Sequence, residues 1–427
     1  MDLNARALIA YPVAQPAARR IKLNSIWLLL TRLITQAQLV VFTVLVARSL
    51  GVAGFGQYAF VAALIFLGNV ATTFGTDTLL IREVARTRQT NDGLIPAALW
   101  LQLALSLAWL VVILAGADVF SKQSAEVVLA LKVYSLSLIP LAFFTVFTAV
   151  LRAHERMDLY LLLNGLVAFI QLGGTWLVLK SSGNLLSLVI ALNVVQLVAA
   201  VLAGLLCRIG LAAFRFNWRV TRNRLAQVAR LAWPFALLSV LAVIYQRLGV
   251  LMLSTLGTDA QVGVFAAAAR VIEPLKILHF AVLGALLPAL AHLATQPHDL
   301  RQTQAATRLF RRSLLLLLAF SSVAALGLIV LAQPIVPLLF GAGYAESVPA
   351  VQILALSLIP YTVSACLSVQ LVTQGRERHL LWATVIGLCA AGLLNRGLIP
   401  GYGSIGAALT VVGSEVILAG TLLVLRR

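Results

Sequence analysis

The chain has 427 residues, of which 61% are hydrophobic and only 11% charged, with a formal net charge of +18. Soluble chains are roughly 45–50% apolar, so a water-soluble fold of this length has nowhere to put that much apolar surface. The excess of Lys and Arg does not point to nucleic acid, because no soluble basic domain carries it; it fits cations gathered on one side of a membrane.

In chain order, residues 1–23 form a polar tail with Pro12 and Pro16, ending in "RRIK". The apolar run that follows is too long for a signal-peptide core and has no small-residue cleavage site after it, so it is expected to be a retained first span. A helix needs about 20 apolar residues to cross the hydrocarbon core. Twelve runs qualify, near 24–48, 55–77, 94–116, 126–151, 158–180, 185–207, 229–256, 262–290, 313–333, 350–374, 379–399 and 404–425. The expected organisation is a cytoplasmic tail (1–23), an N-lobe (24–207), a cytoplasmic linker (208–228) and a C-lobe (229–427).

Cations orient these spans. With the N-terminus inside, 23 Lys and Arg fall on inside segments, 5 fall outside, and four lie within spans: Arg32, Arg247, Arg270 and Lys276. A missed span would scramble the alternation, so the bias supports both the count and an arrangement with both termini cytoplasmic. Cys207, Cys366 and Cys389 are widely spaced in apolar runs and read as small core residues, not a disulfide or metal framework. The five histidines lack ligand spacing.

The chain repeats itself. "LSLIP" occurs at 136–140 and again at 356–360, each copy followed by a short basic loop, "RAHER" (152–156) and "GRERH" (375–379). Earlier in each half, "LGVAGFGQYAF" begins at Leu50 and "LGTDAQVGVFA" at Leu256. Both pairs are offset by six spans, an even number, so the halves enter the membrane in the same sense. The expected architecture is an all-α membrane protein of two parallel six-helix lobes, suited to alternating access.

Four segments resemble polysaccharide flippases: "RSLGVAGFGQYAFVAALIFLGNVATTFGTDTLLIREVAR" (48–86), "LGTDAQVGVFAAAARVIEPLKILHFAVLGALLPALAHL" (256–293), "PLLFGAGYAESVPAVQILALSLIP" (337–360) and "YGSIGAALTVVGSEVIL" (402–418). Within the second, Gly263, Phe265, Ala268, Arg270 and Pro288 match the pattern. The chain is similar to Wzx-like oligosaccharide flippases of the multidrug/oligosaccharidyl-lipid/polysaccharide (MOP) exporter superfamily. The resemblance implies a MATE-like MOP fold. It implies a non-enzymatic flippase that moves undecaprenyl-pyrophosphate-linked oligosaccharide from the inner to the outer leaflet of the bacterial inner membrane. It further implies an anionic lipid-linked glycan and membrane lipid as partners, with a polysaccharide polymerase or its chain-length machinery as a further one. Many members carry an Asp shortly after the arginine of span 7; here Leu248 and Gly249 follow Arg247, so no role for that Asp is carried over.

The in-span polar residues nominate a site. Arg32, Gln36 and Thr43 share a helical face, opposite Leu30, Leu33, Ile34 and Val41. Span 8 reads "AARVIEPLKILH", with Arg270, Glu273 and Lys276 at successive i, i+3 positions and Pro274 to kink the helix. One carboxylate cannot neutralise both cations, so Glu273 serves either Arg270 or Lys276. Span 7 contributes Arg247, for which snorkelling is the bland alternative. A pyrophosphate crossing ~30 Å of hydrocarbon needs a cationic lining, and guanidinium groups bind phosphate oxygens bidentately. The candidate substrate residues are therefore Arg32, Gln36, Arg247, Arg270 and Lys276, with Glu273 and Glu415 as ion-pair or coupling groups. Asn69, Gln171, Asn193, Gln246 and Gln370 are candidates for sugar hydroxyls. Glu415, alone in span 12, is expected to be a helix–helix hydrogen-bond partner. No Walker motif occurs, and no cofactor or nucleic acid is expected. A drug or cation antiporter of the same superfamily would want a membrane carboxylate to bind Na⁺ or H⁺ and a cavity that welcomes cations, a lipid II flippase about fourteen spans, and a glycan polymerase a large outside loop.

Overall fold

In hydrocarbon the backbone of such a chain can satisfy its own N–H and C=O groups by forming helices. The computed structural model describes residues 17–87, 93–116, 123–181, 183–211, 218–276, 279, 282–283 and 300–425. Among them no strand occurs. The helices are α1 (Ala17–Thr73), α2 (Thr76–Thr87), α3 (Leu94–Ala115), α4 (Ala125–Ser135), α5 (Leu138–Ala153), α6 (Met157–Ser181), α7 (Leu185–Gly210), α8 (Arg222–Leu256), α9 (Asp259–Ile272), α10 (Leu300–Phe340), α11 (Ser347–Leu356), α12 (Leu358–Thr373) and α13 (Glu377–Leu425). Single 3-10 turns occupy Glu273–Leu275 and Ala342–Tyr344.

Among the described residues, nine helical stretches are long and apolar enough to cross a bilayer. Two exceed any single crossing: Leu23–Arg86 has 64 residues and Arg378–Leu425 has 48. Each is bent at a glycine with non-helical backbone, Gly51 (φ 68°) and Gly403 (φ 53°), a region that side chains rarely tolerate. Each therefore holds two of the expected spans, 24–48 with 55–77 and 379–399 with 404–425. The span expected at 262–290 begins in α9, and much of it lies outside the described residues, as does Pro288. Helix α8 starts at Arg222, inside the segment read as linker.

The spans expected at 126–151 and 350–374 are each broken once, at "LSLIP". Pro140 and Pro360 have no N–H to give to Leu136 and Leu356, so the helix tightens there. Ser137 N–H instead donates to the Tyr134 carbonyl and Ser357 N–H to Leu354, both at 3.0 Å.

This break is one of a series that repeats 220 residues apart. Helices α5 and α12 start at Leu138 and Leu358 and end at Ala153 and Thr373. Positive φ follows at Glu155 (60°) and Gly375 (68°). The next N–H closes each turn, Arg156 to Leu151 at 3.0 Å and Arg376 to Leu371 at 2.9 Å. Gly183 (φ 58°) and Gly403 (φ 53°) then turn the chain into the last helical segment of each half. The internal repeat is thus present in backbone geometry as well as in sequence.

Two compact units form. The first comprises Met1–Ser49 and Leu64–Val240, the second Leu50–Ala63 and Leu241–Arg427. In the first, Leu80, Leu99, Val146, Leu151, Leu163 and Ala203 are among the buried core residues. Arg156 closes it from one end: the guanidinium grips Asp158 through Nε (3.0 Å) and Nη2 (2.9 Å) and donates through Nη1 to the Gly210 carbonyl (2.8 Å) at the end of α7. In the second, Phe310, Leu317, Cys366, Leu367 and Leu422 are buried together. Large apolar side chains such as Leu316, Val330 and Leu393 are more than 70% exposed, which in a bilayer is the lipid-facing surface. Cys389 is also exposed, which corrects its reading as a core residue; it lies on an outer face of α13.

Within the second unit, the part of α1 after Gly51 crosses α9 at Gly56 and Gly263. A Cβ on Gly56 would run into the carbonyl of Asp259, and one on Gly263 into the carbonyl of Val52. The two contacts mirror each other, since each carbonyl lies four residues before the facing glycine. These are the glycines of "FGQYAF" and "VGVFAA", one from each copy of the earlier repeat. Gln57 Nε2 donates to Asp259 Oδ2 (2.8 Å) beside the crossing, and Tyr344 O–H donates to the Gly51 carbonyl (3.1 Å) at the bend.

Candidate functional site

Helix α9 is started firmly and ended weakly. Thr258 caps its N-terminus in a reciprocal capping box with Gln261. At the other end Pro274 cannot donate to the Arg270 carbonyl, so α9 passes into the 3-10 turn Glu273–Leu275. The regular helix thus ends where the sequence expects a kink, with Glu273 on the break.

There Glu273 meets two arginines. Its Oε2 lies 2.6 Å from Arg270 Nη1, one turn back, and its Oε1 lies 3.4 Å from Arg247 Nη1, which comes from α8. The three side chains are 24%, 19% and 33% exposed for Arg270, Arg247 and Glu273 respectively. Tyr58, nearly buried, is an electrostatic neighbour of both guanidiniums. Of the alternatives for Glu273, the structure selects Arg270 and adds Arg247, whose head pairs with a carboxylate here.

Lys276 goes elsewhere. Its Nζ sits 4.4 Å from the centre of the Tyr361 ring, a cation–π contact, and Glu415 is an electrostatic neighbour. Glu415 is buried and accepts a hydrogen bond from Ser364 Oγ (3.1 Å) on α12. Next to it, Tyr245 O–H donates to Ser414 Oγ (3.3 Å).

Tyr361 also leads to a cluster that sequence reading missed. His279 is fully buried, with its ring 5.4 Å from that of Tyr361. Its Nε2 lies 2.7 Å from Thr362 Oγ1 and 2.9 Å from Ser321 Oγ. The Thr362 hydroxyl donates to the Leu358 carbonyl (2.7 Å), and Ser321 Oγ lies 2.6 Å from Thr362 Oγ1, so the ring and the two hydroxyls form one buried cluster. The signal was available: Glu273, Lys276 and His279 recur every three residues along one chain segment. Spacing searched for metal ligands passes over it, and among the described residues no group of three or more His, Cys, Asp or Glu gathers.

Arg32 and Gln36 belong to the first unit, on α1. Arg32 is exposed and Gln36 half-buried. Among the described residues Arg32 has no carboxylate in ion-pair range. The threonines beside them are explained locally: Thr31, Thr35 and Thr43 donate to the carbonyls of Trp27, Thr31 and Leu39, four residues back. Leu30, Leu33, Ile34 and Val41 are exposed. Of the amides nominated for sugars, Asn193 donates to the Val133 carbonyl (2.9 Å) and Asn69 accepts from Thr73 (3.3 Å).

Helical stretches fit to cross a bilayer, an internal repeat and charges held inside the helices mark a multi-pass membrane protein. Solved structures share its fold. An inward-facing multidrug resistance MATE family transporter of the MOP superfamily superposes with a TM-score of 0.72 at 17% identity, covering 90% of this chain and 93% of that one. The lipid II flippase MurJ in an inward closed conformation gives 0.74 at 16%, covering 95% and 87%. A MOP superfamily transporter from Pyrococcus furiosus gives 0.66 at 15%, covering 95% and 94%. No curated protein matches the chain. The model of the polysaccharide biosynthesis protein family matches residues 21–294, and that of the lipid II flippase MurJ matches residues 174–427. The chain belongs to the polysaccharide biosynthesis protein family and, by its match over residues 174–427, to that of the lipid II flippase MurJ, and it has the fold of MOP-superfamily transporters.

Proposed function

We propose that the protein carries undecaprenyl-pyrophosphate-linked oligosaccharide from the inner to the outer leaflet of the bacterial inner membrane by alternating access. The observation that supports this most is the convergence of Arg247 and Arg270, from separate membrane-embedded segments, on a single carboxylate. Two guanidiniums that already share one anion can share a pyrophosphate, whose oxygens the planar fork binds bidentately. Lys276 adds a cation one turn away. Arg32 and Gln36 meet the same cargo at another stage of its passage. The lipid tail needs no pocket, because it stays in the bilayer. The in-span charge, four cations against mainly Glu273 and Glu415, argues against a pump for cationic drugs. Depleting the protein should make lipid-linked glycan accumulate on the cytoplasmic face of the membrane; its normal appearance on the outer face would refute the reading.

One observation favours a second reading. The MurJ family model covers the whole second half of the chain, so lipid II, itself a pyrophosphate-linked glycolipid, is the alternative cargo. Rescue of growth in cells depleted of their lipid II flippase would select it, and failure to rescue would select the oligosaccharide.

A further inference from the structure

We infer that Glu273 is a displaceable counter-anion: it occupies the two-arginine site between transport events, and the pyrophosphate ester of the cargo takes its place. This rests on the anion-site reading above and concerns how that site is kept and emptied. Four observations carry it.

The carboxylate under-fills the site. Each of its oxygens touches one nitrogen of a different guanidinium, at 2.6 Å and at a loose 3.4 Å. A pyrophosphate offers more charge and more acceptor oxygens, enough to engage both guanidiniums. Among the described residues the ion pairs here set two guanidiniums on one carboxylate, while Lys276 lies on Tyr361 and Glu415 accepts from Ser364.

The site is reachable. The three side chains are 19% to 33% exposed, whereas the side chain of Arg156, which serves the architecture, is only 8% exposed and is held by a fork from Asp158, itself 33% exposed, and by a backbone carbonyl. The contrast lies in the guanidiniums: a buried one needs full pairing.

The carboxylate is mounted on a break. Glu273 is the C-cap of α9 and the first residue of the 3-10 turn that Pro274 enforces. The regular helix thus ends at Glu273, which is the last residue to donate its N–H into α9, to the Ala269 carbonyl.

Finally, it has somewhere to go. Lys276 lies three residues on, the other i, i+3 neighbour of Glu273, and its ammonium is held here by an aromatic face. Displacement by pyrophosphate lets the carboxylate move from Arg270 to Lys276. The exchange is one anion for another, with no bond made or broken.

The test uses the full chain in phosphatidylcholine nanodiscs, titrated calorimetrically with inorganic pyrophosphate at fixed ionic strength. Glu273→Gln should bind pyrophosphate roughly tenfold tighter than wild type, and Arg270→Gln should bind it more weakly than wild type. Arg-dependent binding that Glu273→Gln does not tighten overturns the counter-anion and leaves the anion site standing. Binding that ignores Arg247→Gln and Arg270→Gln alike overturns the anion site, and the inference with it. Should Glu273→Gln fail to fold, Glu273→Asp, which keeps the charge but shortens its reach, must still bind tighter than wild type; unchanged affinity overturns the inference. Adding phosphatidylglycerol to the discs separates the two sources of phosphate. Undiminished pyrophosphate binding supports the assignment, and its abolition makes a lipid headgroup the occupant and overturns it.

Discussion

Arg247, Arg270 and Glu273 were each visible in the sequence as charges inside apolar runs, because a charge at bilayer depth costs ~2.5–3.5 kcal/mol or more and needs a reason. Their grouping was only partly visible. Helical spacing relates residues of one helix, so Arg270 and Glu273 could be paired on paper. Arg247 lies on α8, and only the return of the chain at 257–258 brings it to Glu273. Lys276 had an equal spacing claim on Glu273; the Tyr361 ring, from a helix far along the chain, takes it instead. The roles differ in what lysine does. We predict that Arg270→Lys keeps partial transport, whereas Arg270→Gln loses most of it at normal abundance, since lysine keeps the charge but not the fork. The same series at Arg32 should behave alike, and because Arg32 is exposed its loss should leave protein abundance unchanged. Cell-surface glycan scored against protein level checks both. Normal transport by Arg32→Ala would remove Arg32 from the path.

Elements were legible as far as hydrophobic runs and prolines could show them. Pro274 announced the end of α9. The breaks inside "LSLIP" were not anticipated, although the duplicated proline was in plain view, because an apolar run of span length conceals a change of helix within it. The glycine crossing was hidden for a different reason: "FGQYAF" and "VGVFAA" were read as repeat markers, and nothing in a sequence says that two copies of a repeat touch. Close approach of backbones through small residues is how membrane helices associate. Gly56→Ala should therefore lower abundance and melting temperature, because its Cβ would meet the Asp259 carbonyl. Gly165→Ala, with nothing within 4 Å of its Cβ, should do neither. Arg156→Ala removes a nearly buried guanidinium with three hydrogen bonds and should cost ~2–3 kcal/mol, allowing for the partly exposed Asp158; thermal melts of purified protein measure it. Full stability of Gly56→Ala would refute the crossing.

At the scale of the molecule, composition alone excludes a soluble fold, the even offset of the repeats predicts two parallel halves, and the repeat itself recurs in backbone geometry as breaks and left-handed residues 220 residues apart. The division into units was less legible. Leu50–Ala63 belongs with the second unit, because its partners Asp259, Gly263 and Tyr344 lie there, and tertiary partners leave no mark on local hydropathy. The cation bias of 23 inside to 5 outside makes a further prediction. In a cysteine-less background, single cysteines at 257–261 should be labelled from outside the cell and those at 219–224 should not; the reverse pattern would invert the topology.

The central claim is that a guanidinium pair inside the membrane passes a pyrophosphate-linked glycan from one leaflet to the other. The most direct measurement is flipping of a fluorescent polyprenyl-pyrophosphate oligosaccharide in proteoliposomes, read by quenching from outside. Wild-type protein should move it between leaflets, and the Arg247→Gln, Arg270→Gln double variant, incorporated at the same level, should not. Equal flipping by the two proteins would contradict the account.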